Sequence, residues 1–494
     1  GAGFVSPFSV IKQACYGILE DLMYTKTIAS IASGMGGGIG VIRISGDDAL
    51  TVAGKIFRKR SQIDLTSECE KDGIQYDDKY FWKKESHTIH YGFIVDNGKV
   101  IDEVMVLLMK KPNSYTREDV VEIDSHGGPF IVKKILETVL KNGAVLAEPG
   151  EFTKRAFLNG RIDLAQAEAV MKLISSENNY ALDSALSQLE GNLSKYIENI
   201  RQDILHDMGY IEAALDDPEH YELGEFRFEL KDKLQNDREK LNELIEHFDD
   251  GRMKSEGINT VIVGKPNAGK SSLMNLLLDE ERAIVTNVAG TTRDILEERV
   301  KLGDVILNLV DTAGIHETND IVENIGVNKA IEYADKCDFI IYVVDSSGRL
   351  DDADFQIIDI LQQKKGVILM NKSDLNPVIT VEDIQKKLNW ECITFSNETK
   401  QGMKELENYV NNSFLDGNIS FNNQVYLTGI RHKEAVISAI ESIDAVLQAI
   451  DDDMPEDFYT IDMMDAYKEL GLINGETASE DLVNKIFKEF CMGK

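Results

Sequence analysis

A chain of 494 residues is too long for one ordinary core, and at roughly 100 to 200 residues per domain it implies about three domains. With 43% hydrophobic and 28% charged residues, and apolar runs of only strand length such as Phe339 to Val344 and Val367 to Met370, the composition is that of a globular protein, and nothing in it is expected to span a membrane. A net charge of −33 and a pI near 4.6 exclude a protein that coats nucleic acid by phosphate neutralisation alone, so any RNA contact needs a local basic patch or a basic partner; an acidic, solvated surface with no message about partners fits the same charge.

Residues 1–22 contain Glu20 and Asp21 and no Arg, which fits neither a secretory signal nor a transit peptide; they are expected to be an extension of uncertain origin, with Met23 as the natural start. The five cysteines, Cys15, Cys69, Cys337, Cys392 and Cys491, are far apart and form no C-x-x-C pair, so a reducing cytoplasm is expected rather than a disulfide framework or a zinc site.

From Thr27 to Val145 short β-type runs (Ile39 to Ile44, Thr88 to Val95, Glu103 to Met109, Val120 to Ile123) alternate with turns, which predicts an N-terminal α+β domain over 23–145. Helical spacing then takes over from Asp163 to Phe248, with Leu182, Leu186, Leu189, Leu193, Ile197, Ile200 and Ile204 as its apolar stripe, so 146–256 is predicted to be long helices. Over 257–415 the strand runs Thr260 to Val263, Val305 to Val310, Phe339 to Val344, Gly366 to Met370 and Ile393 to Phe395 alternate with helical stretches, the pattern of a doubly wound parallel sheet. Helical periodicity returns over 416–494 through Ala435, Ile437, Ile440, Ile443, Val446 and Ile450. The expected fold class is multidomain, α/β and all-α, with the α/β domain inserted into a helical bundle.

The inserted segment carries the chemistry. Gly264-Lys265-Pro266-Asn267-Ala268-Gly269-Lys270-Ser271 matches G-x-x-x-x-G-K-[ST] between an apolar strand and the helix-like Ser272 to Leu278, the context a phosphate-binding loop requires. Its glycines let backbone N–H groups wrap phosphates, Lys270 neutralises their charge and the Ser271 hydroxyl can ligate Mg²⁺. Asp311-Thr312-Ala313-Gly314 follows the strand Val305 to Val310, placing an acid to hold Mg²⁺ through water and a glycine N–H for the γ-phosphate. Asn371-Lys372-Ser373-Asp374 follows Gly366 to Met370 and offers a carboxylate to the paired N–H donors of guanine, which adenine lacks. Any one acid alone would be read as a cap or a loop charge. Three motifs in order at strand ends predict GTP.

Between the first two motifs lies Thr286-Asn287-Val288-Ala289-Gly290-Thr291-Thr292-Arg293-Asp294, in the position of a switch loop, with Thr292 the expected second hydroxyl ligand of Mg²⁺. Ile315 stands where related GTPases carry a water-orienting glutamine, so either hydrolysis is slow or another group acts. Ser396-Asn397-Glu398 occupies the position of a Ser-Ala pair expected beside the base. The glycine-rich 36–40 has no G-x-G-x-x-G register, so no flavin or dinucleotide site is expected here.

From about Thr27 to Lys494 the chain resembles the tRNA-modification GTPase family called MnmE or TrmE. Four segments carry the likeness: 38–46 (GIGVIRISG), 150–169 (GEFTKRAFLNGRIDLAQAEA), the Gly290-Thr291-Thr292-Arg293-Asp294 switch and the terminal Cys491-Met492-Gly493-Lys494. The resemblance implies a homodimer whose N-terminal domain binds a 5-formyl- or 5,10-methylene-tetrahydrofolate, with Arg43, Glu122, Arg161 and Lys494 lining that site. It implies a flavin- and NADH-dependent MnmG-type partner in a heterotetramer, and an aminomethyl or carboxymethylaminomethyl group built at carbon 5 of wobble uridine 34 in tRNA. Glu323 then matches the acid that orients water indirectly, and Asn267, Thr286, Val288 and Thr291 match a potassium site. Cys491 matches the family's functional thiol, with a small buried hydrophobe as the competing assignment. His316 departs from the family's Arg. A ribosome-assembly GTPase and a GTP-regulated scaffold without enzymatic action on RNA are the alternatives.

Overall fold

The computed structural model describes residues 26–63, 78–217, 220, 223–278, 297–303, 305–310, 337–362, 364–415, 426–427, 429–490 and 493. The chain forms two compact units: residues up to 168 together with 478–494, and residues 169–477.

In the first unit, strands β1 (Ile28–Ile31), β2 (Ile39–Ser45), β3 (Phe57–Arg58), β4 (Thr88–Asp96), β5 (Lys99–Met109), β6 (Val120–His126) and β7 (Val145–Leu146) form one sheet in the order β3-β4-β5-β6-β2-β1-β7. Every neighbouring pair is antiparallel except β1 with β7. Alternation of residue type sorts the faces. Val104, Val106 and Leu108 of β5 and Ile42 and Ile44 of β2 are buried under the helices Ala49–Ile56 and Pro129–Lys141, while Glu103 and Met105 point the other way and are exposed. Arg43 and Glu122, opposite one another on β2 and β6, share that second face.

The last helix, Glu480–Lys488, belongs to this unit. Ser479 caps it by accepting from Leu482 N, and buried Phe487 sits 4.9 Å from the Phe490 ring and 6.2 Å from that of Phe157. Lys154 Nζ donates to Asn484 Oδ1 at 2.6 Å. Gly150 makes the docking possible: its φ is +68°, and a Cβ there would lie 2.6 Å from the Phe487 carbonyl oxygen. Beyond the helix, a Cβ on Gly493 would lie 2.2 Å from Ile31 O, so the chain end runs against β1.

The second unit contains helices Asn179–Leu189, Asn192–Asp216, Leu223–Glu246, Phe248–Glu256, Ile430–Asp451 and Asp457–Asn474. The apolar stripe expected from Leu182 to Ile204 is broken. Glu190 ends one helix and Gly191, at φ +81°, starts the next, so Leu193, Ile197, Ile200 and Ile204 are buried whereas Leu182 and Leu186 are exposed. On Ile430–Asp451 the buried apolar line is Ala435, Val436, Ala439, Ile440, Ile443, Val446 and Ile450, and Ile437 faces outward. Buried Arg201 joins two helices through Glu198 (2.8 Å), Glu476 (3.1 Å) and the Tyr467 ring (4.2 Å).

The α/β part is a sheet of β8 (Ile258–Val263), β9 (Glu297–Leu302), β10 (Val305–Val310), β11 (Phe339–Asp345), β12 (Gly366–Asn371) and β13 (Glu391–Thr394), ordered β13-β12-β11-β8-β10-β9. The expectation of a parallel sheet needs one correction: β9 pairs antiparallel with β10. The turn between them, at Gly303 with φ +66°, is too short for a crossover. β9 escapes notice in the sequence because, of the described side chains in its Glu-Glu-Arg-Val-Lys-Leu, Val300 and Leu302 alone are buried at the sheet edge. β8 lies between β11 and β10, where the strand order reverses, and such a reversal opens a crevice at the carboxyl ends of the strands.

Candidate functional site

At that crevice β8 ends in Val263 and the chain turns through Gly264 to Gly269 into the helix Lys270–Leu277. Three backbone positions require left-handed or related conformations: Gly264 at φ +151°, Asn267 at +62° and Gly269 at +104°. A Cβ on Gly264 would lie 2.3 Å from Val343 O, so this loop passes against β11 with no room for a side chain. Lys270 Nζ donates to Gly264 O at 2.8 Å and Lys265 O at 2.7 Å, which curls the side chain over its own loop. Burial lowers the Lys270 pKa, because it penalises the charged ammonium.

The loop is fastened from below. Lys265 Nζ pairs with Asp354 (2.6 Å) and Asp351 (2.9 Å) at the start of the helix Asp352–Leu361, and buried Asp354 also accepts from Tyr342 OH at 3.2 Å. Partial burial opposes the charge on Lys265, but the hydrogen bonds to Asp354 and Asp351 outweigh it and hold the ammonium above its ordinary range. Lysine at the second position of the loop reads as a variable residue in sequence, and its anchor lies 86 residues away.

The loops that follow β12 and β13 meet the phosphate loop directly. Asn371 Nδ2 donates to Ala268 O at 2.8 Å. Asp374 Oδ1 accepts from Ser396 Oγ at 2.6 Å, and Ser373 N donates to Phe395 O at 3.1 Å, so the carboxylate is oriented by the loop that follows β13. Lys372, at φ +62°, donates to Asp345 Oδ2 at 2.5 Å. Burial pushes the Asp345 carboxyl up, while Lys372 and Ser347 pull it down more strongly and leave it below its usual range. Asn267, Ala268, Gly269, Lys270, Ser271, Ser272, Asn371, Lys372, Ser373 and Asp374 are thus placed on one sheet edge, with Ser271 and Ser272 at the helix start. Thr286 to Asp294, including Thr292, and Asp311 to Gly314, Ile315, His316, Glu323, Cys491 and Lys494 lie outside the described residues. Asp311 directly follows the last residue of β10.

In the first unit Arg43 Nε pairs with Glu122 Oε1 at 2.7 Å. The Arg43 guanidinium lies 5.3 Å from the Tyr115 ring centroid and 5.6 Å from that of Phe152, and the Arg161 guanidinium lies 4.5 Å from the Tyr115 centroid. Arg43, Glu122 and Arg161, which are far apart in sequence, therefore come together around one aromatic floor. Tyr115 OH bonds Thr153 Oγ1 at 2.9 Å, and buried Arg155 ties the floor's flank through Glu118 (3.1 Å) and Glu151 (2.8 Å). Sequence reasoning misses Tyr115 and Phe152, because an isolated aromatic gives no positional signal.

Residues 27–161 match the family model described as GTP-binding protein TrmE N-terminus, and residues 164–491 match the MnmE helical domain. A tRNA modification GTPase MnmE of Lachnoclostridium phytofermentans is 50% identical over 96% of this chain and 100% of its own length. The chain belongs to the MnmE family of tRNA modification GTPases. A second MnmE-family relative, from Acetivibrio thermocellus, is 45% identical over 96% of this chain and its full length, and one from Clostridioides difficile is 44% identical over 95% and 99%. Among solved structures, the G domain of the T. maritima FeoB iron transporter is 26% identical over 31% of this chain and 96% of its own, at a TM-score of 0.24, a likeness too partial to build on. Among the described residues of this MnmE-family chain, no helix is long and apolar enough to cross a membrane.

Proposed function

We propose that this chain hydrolyses GTP to drive modification of carbon 5 of wobble uridine 34 in tRNA, as a homodimer working with a flavin-dependent MnmG-type partner and a tetrahydrofolate one-carbon donor. The observation that carries the nucleotide assignment is Asp374, oriented by Ser396 at the same sheet edge as the phosphate loop. A fixed carboxylate suits a base presenting two adjacent N–H donors, and a loop of backbone N–H groups ending in Lys270 suits its phosphates.

The donor set in the first unit fits a folate. Two guanidiniums beside Tyr115 and Phe152 match a molecule that joins a flat heterocycle to a carboxylate tail, and Glu122 would take the heterocycle's N–H donors. Arg43, Glu122 and Arg161 would hold it, with Lys494 closing the site from the chain end. Bound folate supplies the one-carbon unit; the residues here bind and orient it. Reconstitution with the partner, 5,10-methylene-tetrahydrofolate and uridine-34 tRNA tests the assignment. Wild type is expected to modify U34 only when all components are present, and an Arg43→Ala, Lys494→Ala double variant to hydrolyse GTP yet fail in modification. Normal U34 modification by that variant would remove the folate site.

Ser271 and Thr292 would hold Mg²⁺, and Asn267, Thr286, Val288 and Thr291 would hold K⁺, of which Asn267 is described, exposed at the tip of the loop. K⁺ there supplies positive charge where the phosphates gain negative charge in the transition state. With Ile315 unable to orient water, Glu323 is assigned that task indirectly. Hydrolysis at constant ionic strength is expected to be faster in KCl than in NaCl, and Glu323→Ala to lower kcat by about 10²-fold with little change in GTP affinity. Equal rates in the two salts would refute the potassium role; an unimpaired Glu323→Ala enzyme would refute the other.

A further inference from the structure

We propose that Asn397 is a positioning residue that aims the backbone of the phosphate loop, and so couples occupancy of the base site to grip on the phosphates. The inference rests on the assignment of this site to a guanine nucleotide and goes beyond it, since the residue at this place beside the base is expected from sequence only to offer its backbone.

The geometry is a closed set of four groups. Asn397 N donates to Asn371 Oδ1 at 3.1 Å, Asn371 Nδ2 donates to Ala268 O at 2.8 Å, and Asn397 Nδ2 donates to Gly269 O at 3.0 Å. Two consecutive carbonyls of the phosphate loop are therefore held from the base side by two side-chain amides. Within a trans peptide the C=O and the following N–H point in opposite directions. Fixing the Ala268 carbonyl turns the Gly269 N–H away from the base loops, and fixing the Gly269 carbonyl does the same for the Lys270 N–H. Those are donors of a loop that cradles phosphate.

Gly269 shows how tightly the clasp is built. A Cβ there would lie 2.1 Å from Asn371 Nδ2 and 2.7 Å from Asn397 Nδ2, so the glycine is required by the two amides as well as by its φ of +104°. The orientation of the Asn397 amide is also determined. Its Oδ1 is buried and has no partner among the described residues, and turning the group over would set that oxygen against the Gly269 carbonyl, acceptor against acceptor. An alanine, as in the Ser-Ala pair expected beside the base, would keep the backbone donor and lose the grip on Gly269.

The test compares GDP with GMP, which lacks the β-phosphate, in competition binding to the full chain. Asn397→Ala is expected to weaken GDP about 5- to 10-fold, the worth of one neutral hydrogen bond, and GMP less than about twofold, with discrimination against xanthosine diphosphate unchanged. Asn397→Asp, which keeps the shape but sets a carboxylate oxygen against the Gly269 carbonyl, should weaken GDP at least as much and lower the melting temperature, while Asn397→Ala keeps it near that of wild type. GDP affinity unchanged in both variants overturns the proposal. Equal loss for GDP and GMP also overturns it, because it would mean that Asn397 only keeps the base loop folded. Wild-type chain that fails to bind GDP would instead sink the nucleotide assignment, which this control reads separately.

Discussion

Replacing Asp374 by Asn is expected to weaken GTP binding by about 10²- to 10⁴-fold and to confer binding of xanthosine triphosphate in its place. Two charge-assisted hydrogen bonds from guanine to one carboxylate contribute about 3–6 kcal/mol together, and the amide keeps one acceptor but turns a donor towards guanine's amine. Xanthine presents an oxygen there, which accepts from that amide. Ser396 sharpens the expectation. Its hydroxyl donates to Asp374 Oδ1 at 2.6 Å, so it selects the orientation in which the Asn oxygen faces Ser396 and the amide nitrogen faces the base. Titration of both nucleotides against wild type and variant decides the matter: unchanged GTP affinity would show that Asp374 does not read the base.

Lys270→Ala is expected to reduce GTP turnover by about 10²-fold or more, because it removes the one side-chain cation of the described loop that can reach the β/γ-phosphates. The sequence alone predicts that loss. The pH dependence comes from the structure. Lys270 is curled onto the carbonyls of Gly264 and Lys265, and burial there lowers its pKa. Its charged form is penalised in the folded chain, so the unfolded chain binds more protons between the depressed folded value and the ordinary lysine value, and this group's effect on stability improves as pH rises through that window. Phosphate restores the charge. Nucleotide binding should therefore take up a proton inside the window, and affinity should fall with rising pH by at most about tenfold per unit. Calorimetry of GDP binding in buffers of different ionisation enthalpy measures that uptake. Its absence in wild type, or its persistence in Lys270→Ala, would exclude Lys270 as the group responsible.

Features that depend on a few consecutive residues are legible in the sequence itself. The phosphate loop declares itself because glycine, lysine and serine are needed at fixed spacing between a strand and a helix. Strands β8, β10, β11 and β12 fall within two residues of the expected runs because a strand buried on both faces is a nearly continuous apolar run. The misses have the same origin. β1 and β7, with four and two residues, are too short to show a period, and β9 pairs at an edge where its residues are mostly charged. Leu182 and Leu186 continue an apolar stripe in sequence, but Gly191 restarts the helix with a new rotation, so they do not share a face with Leu193 and Ile197.

By itself the sequence determined the family, the phosphate loop and the alternation of sheet and helix, since each is written in neighbouring residues and in the periods 2.0 and 3.6. Tertiary structure alone decided what lies opposite what. Arg43 meets Glu122 across 79 residues, Asn397 reaches Gly269 across 128, and Lys154 meets Asn484 across 330. Those partners are chosen by strand register and by the packing of apolar faces, and a register shift of one residue would turn Arg43 into the core. The backbone preferences of single residues carry no information about such pairings, because the free energy that selects them is gained only when distant segments bury their faces together.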